Sequence, residues 1–205
     1  MPEFRFCPHC GHELARKDLF GRERAYCPAC RFVHFHDPKL SVGGLVVEDG
    51  RVLLIRRGVI PRIGFWAVPS GFVEYDEQPR VALAREIEEE TGLRTQVGRV
   101  IDVFPNADPA KPGVFLFFEA TVTGGELQPG DDVSEARWFG RNEMPWEEMA
   151  FTEMREVLKV YWRKISAIAT ETYLEERAQR GDQTKFLAAM SKVADVEPPD
   201  ERDRL

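Results

Sequence analysis

Apolar and small residues form two short stretches, Ser41–Glu48 and Val52–Ile55, broken at Asp49-Gly50, a pattern that predicts a β-hairpin. Arg56 and Arg57 close its second strand with positive charge. A loop follows over Ile60–Ile63, where Pro61 stands between Gly58 and Gly64, and the apolar run Phe65–Pro69 leads into Ser70-Gly71. Stretches at Thr95–Val103 and Val114–Thr123 predict two more strands, and Arg137-Trp138-Phe139 a short one before a turn at Glu143-Met144-Pro145. Between them the period changes to that of a helix over Gln78–Thr91. Leu83, Ala84, Ile87 and Thr91 share one side, and Glu86, Glu89 and Glu90 the other, with Ala82 between the turns. Asp76 is the expected N-cap, Pro79 suits the first turn, and Gly92 stands where a C-cap glycine belongs. A second helical stretch starts at Phe151–Leu158 and Val160–Trp162 and is expected to continue toward Gly181. Mixed strands around two helices predict a layered α/β domain.

Length and composition add an accessory unit. The chain of 205 residues, 43% apolar, has room for one main domain and something small beside it. All four cysteines lie near the N-terminus, as Cys7-Pro8-His9-Cys10 and Cys27-Pro28-Ala29-Cys30. Sixteen residues separate the pairs, enough for a hairpin that returns the second knuckle to the first. Four thiolates suit structural Zn²⁺ in a tetrahedral site, and two redox-active CxxC sites are the competing reading. With so few large apolar residues before Asp37, metal binding would supply this unit's folding energy. His9, His12, His34 and His36 are then left for roles outside the ligand set.

A net charge of −7 argues against general affinity for nucleic-acid backbones, although Arg5, Arg16, Lys17, Arg22, Arg24 and Arg31 make the N-terminal unit the more basic end. Glu3, Glu13, Asp18 and Glu23 dilute that charge, so nucleic acid is not an expected partner. A small nucleotide remains compatible, because a bound divalent cation reverses the local potential. No apolar run is long enough to cross a bilayer, and the first residues lack the apolar core of a secretory signal. With cysteines used for metal, a cytoplasmic location and no membrane partner are expected. The divisions expected are residues 1–37, 38–150, a helical extension over 151–190, and a charged, flexible tail over 191–205.

The acidic side of the first helix carries the chemistry. Glu86, Glu89 and Glu90 stand at i, i+3 and i+4, so three like charges crowd one face, away from the favourable N-terminal end of the dipole. A solvated face is one reading. A hard cation is the other: Mg²⁺ accepts carboxylate oxygens while retaining reactive waters. Ser70-Gly71 just before the helix permits close backbone approach, so a carbonyl there joins the ligands, and Arg85 pairs with Glu77 or another carboxylate at the edge of the cluster.

From Gly71 to Leu93 the chain resembles the Nudix hydrolases: Gly71, five residues, Glu77, seven residues, Arg85-Glu86, apolar Ile87, Glu88-Glu89-Glu90, Thr91, Gly92 and apolar Leu93. The resemblance implies a Nudix-type α/β/α sandwich with a mixed sheet, preceded here by a small zinc ribbon. It implies a Mg²⁺-dependent hydrolase, with Mn²⁺ as a substitute. Glu86, Glu89 and Glu90 are the implied metal ligands, Ser70 a carbonyl ligand, and Arg85 the residue that orders acidic side chains. Gly71 and Gly92 are the box glycines. Asp76 and Ser70 depart from the glycines common at those positions, and neither removes a ligand. A later acid joins the metal site in related enzymes; Asp132 is the preferred match and Glu135 the second.

A zinc ribbon before such a domain resembles the branch containing NADH pyrophosphatases. The stretch Ile101–Asn106 nevertheless lacks that group's Ser-Gln-Pro-Trp signature, and compact relatives acting on ADP-ribose or FAD are the better likeness. The expected substrate is therefore a small nucleoside diphosphate derivative that releases AMP. NADH hydrolysis, removal of a nucleotide cap from RNA, and a nucleotide-sensing regulator without turnover are the alternatives. Arg56, Arg57, Trp66 and Phe104 are candidate substrate contacts, although a tryptophan such as Trp66 is more often a core anchor and Arg56 and Arg57 are equally suited to a solvated role. Family habit also makes a homodimer an expected assembly.

Overall fold

The computed structural model describes residues 4–105 and 113–163. The chain forms two compact units, Met1–Val157 and Leu158–Leu205. Residues 152–163 are helical, and the continuation expected toward Gly181 and the tail over 191–205 lie outside the described residues.

The N-terminal segment is built on a hairpin of β1 (Ala15–Leu19) and β2 (Arg22–Tyr26). Each cysteine pair turns the chain in the same way. The Gly11 and Arg31 amides donate to the carbonyls of Cys7 and Cys27, both at 2.9 Å, while the Cys7 and Cys27 amides donate to His12 and Phe32, both at 2.8 Å. This repeated knuckle satisfies the backbone of a segment whose buried residues include little beyond Cys7, Ala25 and Cys27.

The main sheet is mixed. Its path runs β5 (Trp66–Ala67), β4 (Arg51–Arg57), β3 (Lys39–Glu48), β8 (Gly113–Gly125), β7 (Leu93–Pro105), with β6 (Ser70–Phe72) on β3 and β9 (Val133–Phe139) on β4. β3 runs parallel to β8 and antiparallel to β4 and β6. The hairpin turn falls at Asp49-Gly50, both at positive φ, as the sequence pattern requires. β7, β8 and β9 exceed their apolar stretches because polar residues at their ends still join the ladders. Ser70-Gly71 is strand: it pairs with Gly43 and Val42, which fixes its backbone beside the helix.

Helix α1 (Pro79–Thr91) packs on this sheet. Its N-cap is Gln78 rather than Asp76, with Pro79 at the start and Gly92 closing it at φ 71°. Ala82, Leu83, Ile87 and Thr91 are buried, so Ala82 belongs to the core stripe and Ala84 to its edge, the reverse of the sequence expectation. Leu83 and Ile87 meet Val42, Val46, Leu53 and Phe118, each contributing about 1.5–3 kcal/mol by leaving water. Gly44 allows this approach: a Cβ there would lie 3.1 Å from the Ile87 Cδ1. Thr91 is the buried polar residue of the helix, and its Oγ1 donates to the Ile87 carbonyl at 2.5 Å.

Candidate active site

With its apolar stripe buried, α1 turns its acids toward β6. The Ser70 amide donates to Glu90 Oε2 at 2.8 Å. One residue on, Gly71 lies so close to Glu86 that any Cβ would overlap the carboxylate, which explains the glycine by contact rather than by backbone angle. Arg85 ties the remaining acids together. It donates to Glu77 at 2.7 Å, Glu86 at 2.9 Å, Glu89 at 3.1 Å and the Phe72 carbonyl at 3.2 Å. These hydrogen bonds hold Arg85 strongly protonated, Glu77 first among them. The same guanidinium draws Glu77 below the usual carboxylate range.

The three carboxylates at i, i+3 and i+4 do not converge on one point. Arg85 holds Glu86 and Glu89, the Ser70 amide holds Glu90, and the tight ligand cluster among the described residues is the cysteine set. Like charges separate when only hydrogen bonds restrain them. Glu90 is the most perturbed: burial pushes it up to about 8, against the opposing Ser70 amide. Repulsion from Glu86 and Asp132 adds to the rise, and Arg57 opposes it. Burial also raises Glu86.

A second wall comes from the segment between β8 and β9. Its backbone caps the C-terminus of α1, with the Gln128 amide on the Thr91 carbonyl at 2.9 Å and the Gly130 amide on Glu90 at 3.0 Å. The Gly58 amide then donates to the Asp132 carbonyl at 2.8 Å. Asp132 thereby comes within electrostatic reach of Glu90 and Arg57, whereas Glu135 faces Arg56 at 3.8 Å from β9. Burial lowers Arg57, opposed by the charges of Glu90 and Asp132. The sequence reading missed this seating by Gly58 and Gly130; the only local signal was a glycine beside each of Arg57 and Asp131-Asp132.

The other candidates divide. Trp66 is 4% exposed, edge-on to Phe139 at 4.8 Å, with Arg56 and Arg137 over its ring, so it is a core anchor closed to a base. Arg56 is engaged by the Gly64 carbonyl at 2.9 Å as well as by Trp66. Phe104 sits on β7, half-buried, edge-on to Phe117.

Both donor sets fit the ions their chemistry selects. Glu86, Glu89, Glu90, Asp132 and the Ser70 carbonyl offer only hard oxygens around a desolvated carboxylate, as Mg²⁺ requires. The four cysteine sulfurs lie within 4.8 Å of one another, with Cys7–Cys30 and Cys10–Cys27 at 3.5 Å. A tetrahedral thiolate site with bonds of about 2.3 Å has edges of about 3.8 Å. Crowding splits these thiols. Backbone donation from Cys30 leads in lowering Cys27 to about 6. Cys30 is pushed up to about 12, where burial and its thiol neighbours outweigh the Phe32 amide. Three of the four histidines pack on rings: His9 on Phe32, and His34 between Phe4 and His36.

An acid-bearing helix, an arginine that fixes its carboxylates and a buried glutamate beside a strand backbone define a metal-dependent hydrolase of phosphoanhydrides. The chain belongs to the Nudix family: the NUDIX domain matches residues 37–161. It is similar to the ADP-ribose pyrophosphatase of Methanocaldococcus jannaschii, 39% identical over 128 residues that make up 62% of this chain and 74% of the relative. It is also similar to the NAD-capped RNA hydrolase NudC of Stutzerimonas stutzeri, 32% identical over 71% of this chain and 51% of the relative, so it spans about half of that protein. A NUDIX hydrolase from Nitrosomonas europaea superposes with a TM-score of 0.73 at 32% identity, covering 78% of this chain and 92% of the other. The fold is the Nudix α/β/α sandwich with its mixed sheet. The enzyme is a Mg²⁺-dependent pyrophosphohydrolase acting on a nucleoside diphosphate linked to a second group.

Proposed function

We propose that the substrate is ADP-ribose or FAD, cleaved at the diphosphate to release AMP and a second phosphate-bearing product. The observation that carries the site assignment is Glu90, a buried carboxylate raised to about 8 between Arg57, Asp132 and the Ser70 amide. Such a group calls for a cation. Glu86, Glu89, Glu90, Asp132 and the Ser70 carbonyl would hold Mg²⁺, or Mn²⁺ in its place. When bound, the ion neutralises diphosphate charge and lowers the pKa of a ligated water. Arg85 positions Glu86 and Glu89, and Arg57 adds positive charge where the diphosphate enters. Glu86, itself raised by burial, accepts the proton as water attacks phosphorus and the anhydride oxygen leaves. Phe104 remains a candidate for the base or flavin and Arg56 for the diphosphate, whereas Trp66 is enclosed in the core.

The choice of substrate is supported by likeness to the Methanocaldococcus jannaschii enzyme over 74% of its length. Likeness to NudC favours a second reading, hydrolysis of NADH or a nucleotide cap on RNA. The remaining assignments are a zinc ribbon over residues 1–37, a hydrolase domain over 38–150, a cytoplasmic location and a homodimer. Parallel assays with Mg²⁺ on ADP-ribose, FAD, NADH, dinucleoside polyphosphates and capped RNA, read as AMP release, test the proposal. ADP-ribose or FAD should give the highest kcat/KM. A tenfold preference for NADH or capped RNA overturns it. Glu89→Gln and Glu90→Gln should each abolish turnover while leaving zinc content unchanged.

A further inference from the structure

The β1–β2 hairpin separates its charges by face. Cross-strand partners in an antiparallel pair share a face, and successive residues alternate. The register Ala15↔Tyr26, Lys17↔Arg24, Leu19↔Arg22 therefore puts Lys17, Arg22, Arg24 and Tyr26 on one side. The partners Asp18↔Glu23 put both acids of the hairpin on the other, with Arg16. Lys17 directly faces Arg24, a like-charge pair that costs folding energy. Among the described residues, no acid forms an ion pair with Lys17, Arg22 or Arg24.

Aromatic rings are interleaved with these cations. The Arg24 guanidinium lies 4.8 Å from the Phe35 ring centre and the Lys17 ammonium 5.1 Å from that of Tyr26. Phe20 stacks on Phe35 at 6.1 Å and 25°. Both rings face solvent, Phe20 at 78% and Phe35 at 48% exposure. Phe20 occupies the hairpin tip at φ 54°, followed by Gly21 at φ 76°. Two-residue turns of this kind favour asparagine or aspartate before glycine. A phenylalanine there accepts a strained backbone and an exposed ring at once, a cost that fold stability does not explain.

We infer that this face binds single-stranded nucleic acid, with phosphates on Lys17, Arg22 and Arg24 and bases stacked on Phe20 and Phe35. Spaced cations beside flat exposed rings are what such strands require. An acidic peptide would use the charges but not the stack. A second copy of a chain with net charge −7 has a matching sign but would likewise leave the strained ring unexplained. The inference reverses the expectation drawn from net charge, which averages over faces that the hairpin keeps apart. It uses no residue of the hydrolase site and stands apart from the choice of substrate.

The test is fluorescence anisotropy of the 205-residue, zinc-loaded protein with fluorescein-labelled oligo(U) twelve nucleotides long. Saturable binding should weaken about twentyfold between 50 and 200 mM salt, the response for about three phosphate contacts on a single strand. Lys17→Glu/Arg24→Glu should weaken it at least tenfold. Phe20→Asn is the decisive variant. Asparagine favours this turn, so a structural role predicts equal or better stability and unchanged binding; a stacking role predicts a loss of about 5- to 150-fold with zinc content and AMP release intact. Absence of binding at 100 µM protein overturns the inference. So do unchanged binding by Phe20→Asn, equal competition by polyglutamate, and a protein dimer that Phe20→Asn dissolves while oligo(U) binding persists.

Discussion

Replacing Glu90 with glutamine separates what the site contributes to catalysis from what it costs the fold. The folded-state pKa of Glu90, about 8, lies above the ordinary value of 4.5. Between those values the native chain holds a proton that the unfolded chain has released. Stability therefore falls as pH rises through this window, and the full deficit is reached above pH 8. The interval corresponds to at most about 5 kcal/mol. Glutamine keeps an oxygen to accept the Ser70 amide and cannot ionise. At pH 5 parent and Glu90→Gln should melt together; at pH 8.5, without Mg²⁺, the variant should gain up to about 15 °C at about 3 °C per kcal/mol. Mg²⁺ at a hundred times its Kd should return about 2.7 kcal/mol to the parent at pH 8.5 and far less to the variant. The assay is thermal unfolding in buffers freed of Mg²⁺ by ion exchange, since a strong chelator would also attack the cysteine cluster. Parallel melting curves for the two proteins from pH 5 to pH 9 would refute the claim that burial holds this carboxyl neutral.

Four further outcomes follow from the same contacts. Arg85→Ala should lower kcat about 100-fold by freeing Glu86 and Glu89, and Arg85→Lys should restore little, because one ammonium cannot span four acceptors; steady-state AMP release at saturating Mg²⁺ measures both. Gly71→Ala should lower kcat at least as far by displacing the Glu86 carboxylate, with far-ultraviolet dichroism retained. Thr91→Val should cost about 1–2 kcal/mol in urea unfolding, since it removes the hydrogen bond to Ile87 and leaves the Leu93 amide without its acceptor. Stripping metal with a strong chelator should turn four slow thiols into fast-reacting ones and open the segment 4–37 to protease, read by thiol titration and mass spectrometry.

Much of the fold was legible because its signals are local. Asp49-Gly50 fixed the hairpin, Pro79 and Gly92 bounded the helix, and the carboxylate spacing marked its acidic side. Legibility ended where contacts bridge distant segments. Ser70-Gly71 looks like a turn until β3 pairs with it, and Asp76 loses the cap position because the helix begins at Pro79, with Gln78 immediately before it. Trp66, favoured from sequence as a core anchor, is one, but the partners that enclose it, Phe139 and Arg137 from β9, come from far along the chain. The carboxylates predicted to meet hang on different anchors, Glu86 and Glu89 on Arg85 and Glu90 on the Ser70 amide. Asp132 carries no periodic signal, and its placement depends on amides of Gly58, Gln128 and Gly130 that no side-chain pattern records.

That last arrangement separates the surface beside the site from the backbone that holds it. The chain from Glu126 to Asp132 is moored by backbone amides and carbonyls, while Glu126, Gln128, Pro129 and Asp131 point to solvent. Substitutions there can redraw the rim of the site without moving Asp132 relative to Glu90. The solvent-facing side chains of this stretch and the backbone that seats Asp132 are thus separable.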